Sequence, residues 1–271
     1  MARTSPWVRL TLRTVVIVYL VLLVGWPVSL VVRATFADGL TALRDALSDP
    51  TVVFSLKLTV SVALQATLLN TVFGVGISLL LVRTDFRGKR LLSALIDLPL
   101  SVSPVVVGLA IVLAYGPRGD WLGPWLTSAG VDVLFAPLGI VLATAFVSLP
   151  LVVREVVPVL EEIGTDEVQA ARSLGANSLQ TFWRITLPSI RWALVYGVVL
   201  TLARSLGEFG AVKIVSGNLE GRTQTATLLV EQRYHDFDHA TAYAVAFLLA
   251  AVSVACITLV TYLRPAHGNA R

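Results

Sequence analysis

Charge is scarce in this chain: only 14% of its 271 residues are Asp, Glu, Lys or Arg, where soluble domains carry about a quarter. With 56% hydrophobic residues and a mean hydropathy of +0.80, an ordinary water-soluble domain is excluded and an integral membrane protein is indicated. Cysteine is limited to Cys256, inside an apolar run, which removes a disulfide framework and a thiolate metal cluster and leaves a small core residue. No G-x-x-x-x-G-K-[ST] stretch occurs, no G-x-S-x-G elbow, and no glycine-rich dinucleotide fingerprint after a strand. The chain therefore offers no motif for ATP hydrolysis, nucleophilic catalysis or dinucleotide binding, and no cofactor is expected. No basic patch interleaves with aromatic residues, so nucleic acid is not an expected partner.

What is present is six apolar runs, near 15–33, 58–82, 91–115, 133–153, 192–215 and 240–263. Crossing a hydrocarbon core about 30 Å thick takes about 20 helical residues. Backbone groups in lipid have no water to satisfy them, so each run is expected to be a helix, and no alternating barrel-strand pattern competes. The expected fold class is all-α, polytopic, with six transmembrane helices. The apolar stretch after Arg13 continues to Arg33 without a small-x-small cleavage pattern, so it reads as a first retained span and not a leader. The expected organisation is an N-terminal segment 1–14, a membrane domain 15–265 containing a polar connection 161–190, and a tail 266–271. Trp7, Trp26, Trp121 and Trp125 fall near predicted span ends, where amphipathic rings anchor at the interface.

With a cytoplasmic N-terminus, thirteen of the 21 Lys and Arg residues fall on the cytoplasmic side, seven on the other, and Arg204 within a span. The positive-inside bias then predicts that both termini and the 154–191 connection are cytoplasmic, in a multi-pass protein of the cell membrane. The net charge of +4 reports that topology and an attraction to anionic lipid.

A long polar stretch in the second half is Gln169–Pro188, QAARSLGANSLQTFWRITLP. Thr165 is placed to cap a helix whose first turn carries Asp166 and Glu167, and Gly175 to end it. Asn177 with Gln180 three residues on has the spacing of a capping box for a second helix, predicted to stop near Pro188. Phe182, Trp183 and Ile185 are expected to lie against the bundle. Ala170, Ala171 and Gly175 carry almost no side chain and would let another surface approach closely. Two readings stand on pattern alone: a docking element, or an amphipathic interfacial loop.

The spacing Gln169-Ala170-Ala171, three residues, Gly175, nine residues, Ile185-x-Leu187-Pro188 resembles the EAA loop of ABC importer permeases. The family pattern has Glu where this chain has Gln169. The resemblance extends through IDLPLSVSPVVVGLA (96–110), GDWLGPWL (119–126) and SLGEFGAVKIVSGNLEGRTQT (205–225), which look like the CysW type of sulfate/thiosulfate permease. The LGEFGA core is also similar to molybdate permeases, so a molybdate or tungstate permease is the alternative. The resemblance implies a MetI-like architecture and a coupling role for Gln169, Ala170, Ala171, Gly175, Ile185, Leu187 and Pro188 against a separate ATPase. It also implies the partners: a second, CysT-like permease, two CysA-like ATPase subunits, and an extracytoplasmic sulfate-binding protein that selects the anion. The chain itself would be a transport subunit and not an enzyme. A secondary transporter, with Arg204, Glu208 and Asp97 handling a coupling ion, and a structural membrane protein are the readings of other classes.

Arg204 and Glu208 lie in the fifth apolar run, where each charge costs about 2.5–3.5 kcal/mol on insertion scales. They form either a structural ion pair or a contact for the anion along the translocation path. Asp97, Pro99 and Pro104 mark the third run as either a broken helix or a packed kink. The loop 216–223 is either a simple turn or a place where free backbone amides cradle an anion and a binding protein docks. His235, Asp236, Asp238 and His239 have helical spacing for a metal but lack further ligands nearby, and a solvated loop suffices.

Overall fold

The computed structural model describes residues 6–37, 39–117 and 122–263. The first five residues, Arg118, Trp121, Arg264, Arg271, the tail 266–271 and the start of the GDWLGPWL stretch lie outside the described residues. Helix α1 (Pro6–Leu20) passes through a π-helical turn at Val21–Gly25 into α2 (Trp26–Thr35). A short helix α3 (Thr41–Ser48) precedes α4 (Pro50–Arg83), which starts where the Asp49 carboxylate accepts the Thr51 N–H at 2.8 Å. Then come α5 (Lys89–Ser101), α6 (Pro104–Tyr115), the small α7 (Gly123–Ser128) and α8 (Pro137–Ile163). Next are α9 (Asp166–Ser173) and α10 (Ser178–Thr181), and α10 continues through a second π turn at Phe182–Thr186 into α11 (Leu187–Leu206). The chain closes with α12 (Gly210–Ser216), α13 (Ala226–His235) and α14 (His239–Leu263). Among the described residues five helical stretches are long and apolar enough to cross a membrane, and α5 with α6, bent by 115°, forms either a broken sixth span or a re-entrant pair.

Several of the expected runs differ from the helices found. The third breaks between α5 and α6 because Pro104 disfavours helical backbone at the residue before it, and Ser103 is extended at φ −59°, ψ 134°. The fourth continues as helix to Ile163, which puts Arg154 inside a helix instead of in a loop. The fifth ends at Leu206, and α12 restarts after Gly207 and Phe209. The first helix begins at Pro6, not near residue 15.

Proline does not stop the helices at Pro27 or Pro188. Proline lacks an N–H and its ring collides with the carbonyl four residues back. In both helices a π turn ends just before the proline: Trp26 N–H reaches the Val21 carbonyl, and Leu187 N–H reaches the Phe182 carbonyl. The widened turn relieves the collision and keeps the helix continuous. Trp7 and Trp26 are both exposed, and at 1.5 Å per residue they stand about 28 Å apart along the helix, close to the hydrocarbon thickness.

The centre of the bundle is α4, α8 and α11, and their approach depends on small residues. A Cβ on Gly74 of α4 would sit 2.9 Å from the Val152 side chain, and one on Gly197 of α11 would sit 3.1 Å from the Val152 Cα. Interhelical association in lipid rests on such contacts and on hydrogen bonds. Asn70 donates to the Ala145 carbonyl and to Ser148 Oγ, each at 2.9 Å, and Ser205 of α11 lies 3.4 Å from the same Ser148 hydroxyl. A second cluster joins α6, α8 and α12 through Val107, Ile111, Ile140, Val212 and Val215.

Gly74→Ala is expected to destabilise the protein by about 1–3 kcal/mol through overpacking against Val152. Gly76→Ala, where a Cβ meets nothing within 4 Å, should instead be neutral or stabilising by up to about 1 kcal/mol. Thermal challenge in detergent followed by size-exclusion chromatography reads both; equal losses would remove the close-approach account.

Candidate functional site

The polar segment folds as two capped helices around Gly175. Gly175 takes φ +86°, its N–H reaches the Arg172 carbonyl at 3.0 Å, and Ala176 N–H reaches the Ala171 carbonyl at 3.0 Å. These two bonds are the Schellman pattern that closes a helix on a left-handed glycine. Asn177 and Gln180 form the expected capping box, with Gln180 N–H on Asn177 Oδ1 at 2.8 Å and Asn177 N–H on Gln180 Oε1 at 3.1 Å. Thr165 sits at the N-cap of α9 but its side chain does not cap; its hydroxyl accepts from Gln169 Nε2 at 3.0 Å. The second helix does not stop near Pro188, because the π turn carries it through to Leu206.

Gln169, Ala170 and Gly175 are exposed and Ala171 is half-buried, so α9 offers a face of small residues to its surroundings. Ile185 and Leu187 are half-buried and Pro188 is exposed, on the helix that continues into the bundle. Phe182 packs against the cluster of Val152, Val156, Leu160 and Ile190 as expected, whereas Trp183 points away and is exposed. Arg83, at the end of α4, donates from Nη1 to the Gly164 carbonyl and so ties the turn into α9 to the bundle. Sequence reasoning counted Arg83 only as a topology charge. Its partner lies 81 residues away, and no local pattern signals such a contact.

At the far end of the same long helix, Arg204 and Glu208 meet. Arg204 Nη1 lies 2.6 Å from Glu208 Oε2, an ion-pair contact without an aligned N–H. The Glu208 side chain is 2% exposed and that of Arg204 40%. Glu208 sits in the gap between α11 and α12, not within a helix, and its Oε1 accepts the Ala211 N–H at 3.1 Å. Thr227 Oγ1 donates to the Glu208 carbonyl at 2.9 Å. The carboxylate thus satisfies an amide that the broken helix leaves free, as well as countering the arginine.

Asp97 pairs with Arg154 of α8, Nε to Oδ1 at 3.0 Å, beside a helix that is broken and not merely kinked. In and beside the loop 216–223 five amides are taken up internally and are not available to an anion. Arg222, Thr223 and Gln224 N–H groups all turn to the Leu219 carbonyl, Leu219 N–H to Thr223 Oγ1, and Asn218 N–H to Ser216 Oγ. Asp238 lies 3.7 Å from Arg233, which also holds Asp49 at 2.8 Å, and His239 packs against Tyr234 and Tyr243. No group of three metal-ligating side chains assembles among the described residues.

A polytopic helical bundle with two broken helices, an ion pair at one break and an exposed small-residue helix at one end is the build of a membrane permease. The chain belongs to the family of binding-protein-dependent transport system inner membrane components, whose model matches residues 70–267. It is 47% identical over 253 residues to the sulfate transport system permease protein CysW of Synechococcus elongatus, covering 93% of this chain and 88% of that one. It is 37% identical over 268 residues to the sulfate transport system permease protein CysT of Escherichia coli K12, covering 98% and 96%. Among solved structures, a chain of a bacterial ABC transporter that imports the acidic polysaccharide alginate matches with a TM-score of 0.77 at 14% identity, covering 95% of this chain and 94% of that one. That likeness shows the fold: an all-α permease. Membership in the family makes the chain a multi-pass, inner-membrane transport subunit and not an enzyme.

Removing Arg204 alone leaves a buried carboxylate without its cation. Arg204→Gln is expected to lower stability by about 1–3 kcal/mol more than the double variant Arg204→Gln/Glu208→Gln, in which a neutral amide can still accept the Ala211 N–H. Tryptophan-fluorescence melting in detergent compares them; a double variant less stable than the single would overturn this account of the pair.

Proposed function

We propose that this chain is a permease subunit of an ATP-driven importer of sulfate or thiosulfate. One observation carries the cargo: near full-length similarity to sulfate permeases at 37–47% identity, well above the identity at which only the fold is shared. In this reading α9 is the coupling helix, and Ala170, Ala171 and Gly175 allow a cytoplasmic ATPase to approach its backbone. Gln169 makes no charged contact there; its amide is used within α9 on Thr165. Both termini and α9 are cytoplasmic in this reading, the topology that the charge bias favours. The partners are a CysT-like permease, two CysA-like ATPase subunits and an extracytoplasmic sulfate-binding protein that docks over the 217–223 loop. Arg204 lines the path, because its guanidinium is part-exposed while its counterion is buried.

Reconstitution with the partner subunits and measurement of labelled sulfate and molybdate uptake test the cargo. Sulfate uptake is expected, and molybdate uptake without sulfate uptake would overturn it. Sulfate transport at the wild-type rate by Arg204→Gln/Glu208→Gln would remove Arg204 from the path.

The coupling role makes its own demand. Ala171→Leu and Gly175→Leu are expected to cut ATP-dependent uptake at least tenfold, since bulk there holds the ATPase off, while Gln169→Ala changes it less than twofold. An orientation-specific protease assay on intact vesicles checks that α9 is cytoplasmic. Equal, negligible effects from all three substitutions would leave α9 an interfacial segment.

A further inference from the structure

Behind α9 lies a cavity of about 400 Å³, enclosed by the end of α4, α9 and the start of the α10–α11 helix. Arg83 and Arg172 line it, together with Gln169, Thr165, Ser178 and Thr186, and no acidic residue does. Arg83 spends one N–H on the Gly164 carbonyl and retains further donors. Arg172, in the last turn of α9, makes no ion pair among the described residues. The nearby carboxylate of Glu167 faces a separate, smaller hollow that it shares with Arg83.

Thr186 supplies the second observation. It is 7% exposed, lines the cavity, and its hydroxyl has no hydrogen-bond partner among the described residues. A helical threonine usually bonds the carbonyl four residues back, here that of Phe182, and Thr186 makes no such bond. A hydroxyl without a protein partner, on a mostly buried residue beside two arginines and no carboxylate, suits a ligand rich in acceptor oxygens.

We propose that this cavity binds a tetrahedral oxyanion, held by Arg83 and Arg172 with the Thr186 hydroxyl donating, and that its occupancy ties α9 to α4 and α11. The same chemistry can arrive from two sources: a free inorganic anion, or the phosphate of an anionic lipid headgroup at the membrane surface. The inference rests on the cavity lining and not on the cargo, so a failed sulfate-uptake experiment would leave it standing.

The test uses the full chain in phosphatidylcholine nanodiscs, with Cys256→Ser and an environment-sensitive fluorophore on Leu174→Cys. Leu174 is 90% exposed on the α9 turn, so the label stays out of the cavity. A saturable signal on titrating inorganic phosphate, weakened about tenfold by Arg172→Gln and also weakened by Thr186→Val, establishes a site for a free anion. A signal that appears only in discs containing phosphatidylglycerol, and is reduced by the same two substitutions, establishes a headgroup site. Thr186→Val keeps both arginines and guards against misfolding of the arginine variant. No signal under either condition overturns the proposal. So does a signal indifferent to both substitutions, or one weakened equally by Arg184→Gln on the exposed surface nearby.

Discussion

Every backbone N–H and C=O that lies in hydrocarbon must find its partner inside the protein, and this structure is organised around that demand. At four interruptions of the α-helical ladder a specific repair is visible. Pro27 and Pro188 are each preceded by a π turn. The Pro104 break leaves Val102 N–H on the Leu98 carbonyl and Val107 N–H on the Ser103 carbonyl. The gap after Leu206 is repaired by side chains: Glu208 takes the Ala211 N–H and Thr227 reaches the Glu208 carbonyl.

That last repair explains why a carboxylate can be buried here at all. A charge in the bundle interior is costly unless it is paired and hydrogen-bonded, and Glu208 has both an arginine and an amide. The two readings of the pair, structural ion pair and path contact, are therefore not exclusive. Glu208 is held by the fold, and the Arg204 side chain is 40% exposed. An anion meeting a cation whose charge is already half-compensated would be attracted without being trapped, as passage through a permease requires.

Much of this was legible in the sequence, and the part that was not has a common cause. The capping box at Asn177 and Gln180 and the glycine stop at Gly175 were readable because both depend on residues three or four apart. The class and the six apolar runs were readable because lipid imposes one solution on a long apolar segment. The helix end predicted at Pro188 was not found, since the rule that proline stops a helix assumes an α-helical ladder and a π turn removes that assumption. The loop 216–223 looked like a source of free amides by composition, but Thr223 and the Leu219 carbonyl take up those of Leu219, Arg222, Thr223 and Gln224. Arg83 with Gly164, Asn70 with Ser148 and Arg154 with Asp97 join residues from 57 to 81 positions apart, which no single-sequence pattern encodes.

The continuity of one helix connects the two candidate sites. From the Asn177 cap to Leu206 the chain is a single stretch of 29 residues, about 43 Å at 1.5 Å per residue, with its one proline passed by a π turn. Its start is joined to α9 through the closed Gly175 turn, and Arg83 anchors the other end of α9 to α4. Its finish is the gap that holds Arg204 and Glu208. Between that turn and the ion pair the helix has no break; the first lies at Gly207, where the helical backbone ends. In the proposed reading, the place where the ATPase would push and the place where the anion would pass are the two ends of one rod. The device at Pro188, invisible to a rule that only breaks helices, is what keeps that rod whole.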